Sequence, residues 1–212
     1  MKVLIVGGGL KPSSELIIKE YEKSDIVIAA DRGAQYLFEE NLNPTILLGD
    51  FDSINKEVLE KLRAKNSEIK VYPPEKDFTD SEIAVDLALE YKPEEVTLLG
   101  CTGSRLDHVL GNIGLLYKCL ENGSRAYIKD DNNIIFLVNK STKLKKKNMN
   151  YISFQGFREE VKNFNIRNAK YDLHDYDLNF GETISVSNEF LDEKDVEITF
   201  NNGIVMVMYS MD

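Results

Sequence analysis

The stretch Val96-Thr97-Leu98-Leu99-Gly100-Cys101-Thr102-Gly103-Ser104-Arg105-Leu106-Asp107-His108 decides how this chain folds. Four uncharged residues run into a glycine-rich loop, and a helical pattern follows. Apolar residues recur at three- and four-residue spacing over Val109–Asn122, Gly123 offers a C′ residue that accepts positive φ, and Arg125–Lys129 reads as the next strand. A strand too apolar to keep a solvated face, then a helix, then a strand, is the unit of a parallel sheet covered on both sides.

Upstream the same alternation repeats. Strands are expected at Lys2–Val6, Ile26–Ala30, Thr45–Leu48 and Glu68–Tyr72, and helices at Ser14–Lys23, Ala34–Asn41, Lys56–Lys65 and Glu82–Tyr91, where Ile83, Leu87 and Tyr91 form one apolar stripe. The fold class expected for residues 1–130 is therefore α/β, with a mainly parallel, doubly wound sheet. From 131 to 212 the helices stop. Short β-like runs at Ile134–Val138, Tyr151–Phe154, Val161–Ile166, Thr183–Val186, Val196–Phe200 and Ile204–Tyr209 predict a small all-β sandwich, with Asn201-Asn202-Gly203 as a hairpin turn between the last two. Lys140, Lys143, Lys145, Lys146 and Lys147 read as a solvated loop.

With 212 residues the chain can bury a full core without disulfides. Its net charge of −10 argues against a general nucleic-acid binder, because phosphate contacts need a basic surface. No run reaches the ~18 apolar residues of a membrane span, and the sequence opens directly on a strand, so a cytoplasmic location is expected. Cys101 and Cys119 stand outside any CxxC pattern and read as free thiols; His108 and His174 are too few for a histidine zinc site.

In an open α/β sheet ligands collect at the carboxyl ends of the strands, and this chain puts carboxylates there: Asp31, then Asp50 and Asp52, then Asp77 and Asp80. Asp50 and Asp52, two apart on extended backbone, project to one side, as two ligands of one hard cation should. One of them capping the next helix is the bland alternative. Thr79-Asp80-Ser81-Glu82 fits a capping box, which accounts for Thr79 and Glu82 but not for Lys76 and Asp77. A lysine and two aspartates at the end of the fourth strand, beside Asp50 and Asp52, suit Mg²⁺ and a phosphate. In the loop Gly100–His108, glycines permit close backbone approach and Arg105 can grip a phosphate bidentately. Gly7-Gly8-Gly9 with Asp31 fails as a dinucleotide fingerprint, because the third glycine would fall on Pro12.

Taken in order, these loops resemble those of the thiamine pyrophosphokinase family. The resemblance rests on Ala30-Asp31-Arg32-Gly33-Ala34, Gly49-Asp50-Phe51-Asp52-Ser53, Lys76-Asp77-Phe78-Thr79-Asp80 and Gly100–His108. It continues through Ala169-Lys170-Tyr171-Asp172-Leu173 and Val186-Ser187-Asn188-Glu189-Phe190, so it covers nearly the whole chain. It implies transfer of diphosphate from ATP to the thiamine hydroxyl with release of AMP. Asp50, Asp52, Asp77 and Asp80 would hold Mg²⁺ and, with Arg105, carry catalysis; Asp31, Lys76, Gly103, Ser104, Arg105, Asp107 and His108 would face the nucleotide. Tyr171 would give thiamine an aromatic face, and Ser187 with Asn188 a hydrogen-bonding edge. The choice of proton acceptor stays open among Asp50, Asp77 and Asp107. A homodimer with sites shared between subunits is implied as well. The chain departs from the family pattern at Arg32, Ser104 and Asp172, where the family commonly has glycine, glycine and proline. A metal-dependent phosphohydrolase using the same aspartates, and a non-catalytic nucleotide or thiamine sensor, are the competing readings.

Overall fold

Runs of Val, Ile, Leu and Ala place six strands side by side, all parallel: β1 (Lys2–Val6), β2 (Ile26–Ala30), β3 (Ile46–Gly49), β4 (Glu68–Val71), β5 (Glu95–Leu99) and β6 (Arg125–Lys129). Their spatial order is β4-β3-β2-β1-β5-β6. The computed structural model describes residues 1–49, 56–63, 68–71, 77–191 and 194–212. Within it, residues 1–131 and 132–212 form two compact units.

Among the described residues five helices lie between the strands in sequence: α1 (Ser14–Tyr21), α2 (Gly33–Glu39), α3 (Lys56–Arg63), α4 (Asp80–Glu90) and α5 (Leu106–Glu121). One side of the sheet, through Leu4, Val6, Val27, Ala29 and Leu47, buries Ile17 of α1 and Ala34, Tyr36 and Leu37 of α2. On α4 and α5 the buried residues are Ala84, Val85, Leu87 and Ala88, and Asn112, Leu115, Leu116 and Cys119. Strands apolar on both faces are therefore matched by helices with one apolar stripe each. Gly123 ends α5 at φ +77, with Gly123 N donating to Leu120 O and Ser124 N to Cys119 O, a Schellman closure. α4 begins at Asp80, two residues earlier than expected. Thr79 is its N-cap, its hydroxyl accepting from Glu82 N at 3.2 Å, while the Glu82 carboxylate accepts from Lys118 on α5 at 3.2 Å.

The second unit holds two antiparallel sheets. One has the order β7 (Asn133–Val138), β13 (Val205–Ser210), β9 (Tyr151–Gly156); the other runs β11 (Leu173–Leu178), β10 (Val161–Arg167), β12 (Val196–Thr199), β8 (Thr142–Leu144). Ile152, Phe154, Val205, Val207 and Tyr209 from the first share one core with Leu144, Val161, Phe164, Ile166, Leu178, Val196 and Ile198 from the second, and the rings of Phe154 and Phe164 meet at 5.7 Å. This is the sandwich.

Three expectations change. Asn201-Asn202-Gly203 is no hairpin, because β12 and β13 lie in different sheets; the turn crosses between sheets and pairs with Lys162 of β10. Thr183–Val186 is a turn, with Val186 N donating to Thr183 O, fastened to β9 by Ser185. The lysine-rich segment contains the strand β8, where Lys143 pairs with Glu197 of β12 at 2.6 Å. An edge strand rich in lysine resists pairing with other chains. β11 escaped notice because Leu-His-Asp-Tyr-Asp-Leu is largely exposed and carries too few apolar residues to read as a run.

Candidate active site

The strand order reverses between β1 and β5, the switch point at which an open parallel sheet parts its loops and leaves a crevice. Here the two strand ends stay joined past the ladder. Gly7 N donates to Leu99 O at 2.8 Å, Gly9 N to Gly100 O at 2.7 Å and Leu10 N to Thr102 O at 2.8 Å. Side chains cannot fit in that seam: a Cβ on Gly9 would lie 2.4 Å from Thr102 O, and Gly100 has φ +63. The triple glycine is a construction requirement of this crevice.

Above the seam lies a cavity of about 640 Å³, whose walls include Gly9, Asp31, Arg32, Asp80, Gly103 and Arg105. Asp31 ends β2 in the left-handed region, φ +48, and its carboxylate rests on the next strand end: a Cβ on Gly49 would come 2.0 Å from Asp31 Oδ1. Ser104 and His108 also line the cavity. The first-turn N–H groups of α5 have no intrahelical acceptors, and the N-cap residue Arg105 supplies no side-chain acceptor for them, so the helix presents a positive end there. The guanidinium of Arg105 forks onto Asp107, Nε to Oδ1 at 3.3 Å and Nη2 to Oδ2 at 2.6 Å. That hydrogen bond and charge bring the Asp107 carboxyl down to about 2.

Of the residues singled out in the sequence, Asp31, Asp80, Gly103, Ser104, Arg105 and His108 meet in this one cavity, and Asp107 braces Arg105. Asp77 is exposed and outside the cavity walls. Asp50, Asp52 and Lys76 lie outside the described residues. Among the described residues no three acidic, thiol or imidazole groups converge as a metal cage. The donor chemistry nevertheless fits a hard divalent cation: carboxylates at Asp31 and Asp80 line the cavity.

Three contributors escaped the sequence reading. Asn112 is 6% exposed and donates from Nδ2 to Cys101 O at 2.8 Å, holding the glycine loop down. An amide at a core position of an amphipathic helix was its available signal. Thr102 buries Oγ1 beside the cavity with no hydrogen-bond partner among the described residues, and the Tyr36 hydroxyl donates to Gly9 O at 2.8 Å.

In the second unit Tyr171 is exposed, with the Lys170 ammonium 5.5 Å from its ring centre, and Ser187 is exposed at φ +57. Asn188 is 2% exposed and is spent internally: Oδ1 accepts from Tyr171 N and Glu189 N, and Nδ2 donates to Tyr171 O at 2.7 Å. It fixes the backbone beneath Tyr171, a different job from the ligand edge expected of it.

Residues 18–128 match the family model for the catalytic domain of thiamin pyrophosphokinase, and residues 141–205 match that for its vitamin B1 binding domain. The chain belongs to the thiamin pyrophosphokinase family. It is 32% identical to the thiamine pyrophosphokinase of Bacillus subtilis (strain 168), over 98% of both chains. The crystal structure of the Bacillus subtilis thiamine pyrophosphokinase superposes with a TM-score of 0.89 at 31% identity, covering 100% of each chain. That of the Geobacillus thermodenitrificans thiamin pyrophosphokinase does so at 0.86 and 32%, covering 100% of this chain and 98% of the other. The hydrolase alternative is not supported by these matches.

Proposed function

We propose that this chain transfers diphosphate from ATP to the hydroxyl of thiamine, giving thiamine diphosphate and AMP. The observation that carries the reading is the switch-point cavity, where the glycine loop before α5 brings Arg105 and the positive end of a helix to face Asp31 and Asp80. In diphosphate transfer the thiamine oxygen bonds to the β-phosphorus, the bond from that phosphorus to the AMP oxygen breaks, and the hydroxyl proton leaves to a carboxylate or water. The protein's task is to align the two oxygens and offset charge on the moving group. Arg105, fixed by Asp107, offers charge in a set orientation, and the glycine seam lets phosphates approach the backbone. Asp50, Asp52, Asp77 and Asp80 are the proposed holders of Mg²⁺, which when bound neutralises the phosphate oxygens. Lys76 is proposed to add a further cation for the phosphates.

Tyr171 and Ser187 are proposed to meet thiamine, with Asn188 fixing the chain under them. Exposed Leu106, Leu110, Phe180 and Ile184, each more than half accessible, support a homodimer that covers them and shares sites between subunits. ATP as donor and two free, buried thiols fit a cytoplasmic enzyme. No helix among the described residues is long and apolar enough to cross a membrane. The test is to incubate the pure protein with ATP, Mg²⁺ and thiamine and separate the products. Thiamine diphosphate and AMP in equal amounts are expected; ADP or phosphate formed without thiamine would refute the reading.

A further inference from the structure

The cavity holds two arginines, and only one has an evident task. Arg105 rises from the end of β5 and its fork is taken up by Asp107. Arg32 rises from the end of β2. β2 and β5 flank β1 on either side, so the two arginines follow strands that lie on opposite sides of the Gly7–Leu10 seam, and both line the cavity. Arg32 is seated there by the backbone. Its Cβ lies 3.2 Å from where a Cβ on Gly8 would stand, and its carbonyl accepts from Gln35 N at 3.0 Å in the first turn of α2.

The Arg32 side chain is exposed at the cavity wall and makes no hydrogen bond or ion pair with the described residues. In a chain of net charge −10, with Asp31 and Asp80 in the same walls, an exposed guanidinium on the cavity wall with no protein partner among the described residues is a cation that a bidentate anion can take up in exchange for water. The Thr102 hydroxyl, buried without a partner among the described residues beside the same space, independently marks the wall as built for a polar ligand.

We propose that Arg32 is a phosphate-binding residue of this site, gripping the polyphosphate chain of the nucleotide from the β2 bank while Arg105 meets it from the β5 bank. The proposal rests on the reading of the cavity as an ATP site and adds to it a second cationic contact. A charge-assisted pair to phosphate is worth about tenfold or more in affinity, and a bidentate fork is only partly replaced by an ammonium.

The experiment compares wild type, Arg32→Gln and Arg32→Lys in two measurements: steady-state kinetics with ATP and thiamine varied separately, and calorimetric binding of inorganic tripolyphosphate. Arg32→Gln is expected to raise the KM for ATP and the Kd for tripolyphosphate about tenfold or more, with Arg32→Lys between it and wild type and the KM for thiamine unchanged in both. A merely structural role would not separate the two substrates. An ATP KM and tripolyphosphate Kd within about twofold of wild type, or no tripolyphosphate binding by wild type, would overturn the proposal. If wild type binds tripolyphosphate in an Arg32-dependent way yet makes no thiamine diphosphate, the proposed activity falls and the Arg32 assignment stands. Should Arg32→Gln melt early, Arg32→Lys decides alone, and wild-type affinity in it would refute the fork.

Discussion

Replacing Gly9 by alanine tests the seam that carries the site. The added Cβ would sit 2.4 Å from the carbonyl oxygen of Thr102 and 2.6 Å from that of Gly100. An unstrained C···O contact is about 3.3 Å, so the loop after β5 must retreat by about 0.9 Å. Both obstacles are backbone, and both oxygens accept hydrogen bonds that close the seam, from Leu10 N and from Gly9 N itself. No side-chain rotation relieves the clash. Overpacking of this kind costs about 1–3 kcal/mol, or about 2–12 °C in melting temperature for a chain this long. Because that loop leads into Arg105, a displacement near 1 Å should also cost about a hundredfold in turnover. The companion variant Gly111→Ala reverses the sign. Gly111 lies exposed in α5 with nothing within 4 Å of an added Cβ, so alanine should stabilise by about 0.5–1 kcal/mol through helix propensity. Scanning calorimetry and product formation from ATP and thiamine measure both. A Gly9→Ala protein melting within about 1 °C of wild type and keeping more than half its turnover would refute the close approach of the two strand ends.

Asp52→Asn keeps the side-chain shape but loses the charge proposed to hold Mg²⁺, so turnover should fall about tenfold or more with the melting temperature unchanged; more than half the wild-type rate at saturating Mg²⁺ would rule the assignment out. Mixing inactive Asp52→Asn with inactive Tyr171→Ala should recover about a quarter of wild-type activity per chain, since random exchange makes about half the dimers mixed, each with one intact site. No recovery despite proven exchange would place both halves of the site in one chain. Glu20, 5% exposed, accepts from Lys129 at 2.8 Å and Lys23 at 2.9 Å; burial alone pushes its carboxyl up, and the two ammonium groups more than reverse this. Its stabilisation is therefore present above the unfolded carboxyl value and lost as pH falls through the lower folded one. Glu20→Gln should cost about 2–3 kcal/mol at pH 7 and clearly less near pH 3, as denaturant melts at both pH values would read. Burial pushes the Cys101 and Cys119 thiols up to about 12, so a disulfide thiol reagent at pH 8 should label neither in the folded chain and both in guanidinium.

Most of this molecule was legible along the chain. Apolar runs, helical stripes, Gly123 and the Thr79 cap mark the parallel domain because each depends on neighbours within a turn or a strand. The loops that carry chemistry announce themselves by residue type at strand ends. What the chain could not display is pairing between distant segments. Nothing local says that β1 stands between β2 and β5, yet that order creates the switch point, sets Arg32 and Arg105 on opposite banks and requires Gly9 to be bare. Nor does Asn201-Asn202-Gly203 reveal that the strands it joins belong to different sheets, since a turn signal fixes a reversal and not the partner. Asn188 shows the same division: its amide looked like a ligand group in sequence, and only folding brings Tyr171, seventeen residues away, close enough to use it up. Local stereochemistry dictates elements, while hydrogen-bond partners and crevices come from long-range packing, so the tertiary structure alone decided which of the polar residues remain open to a ligand.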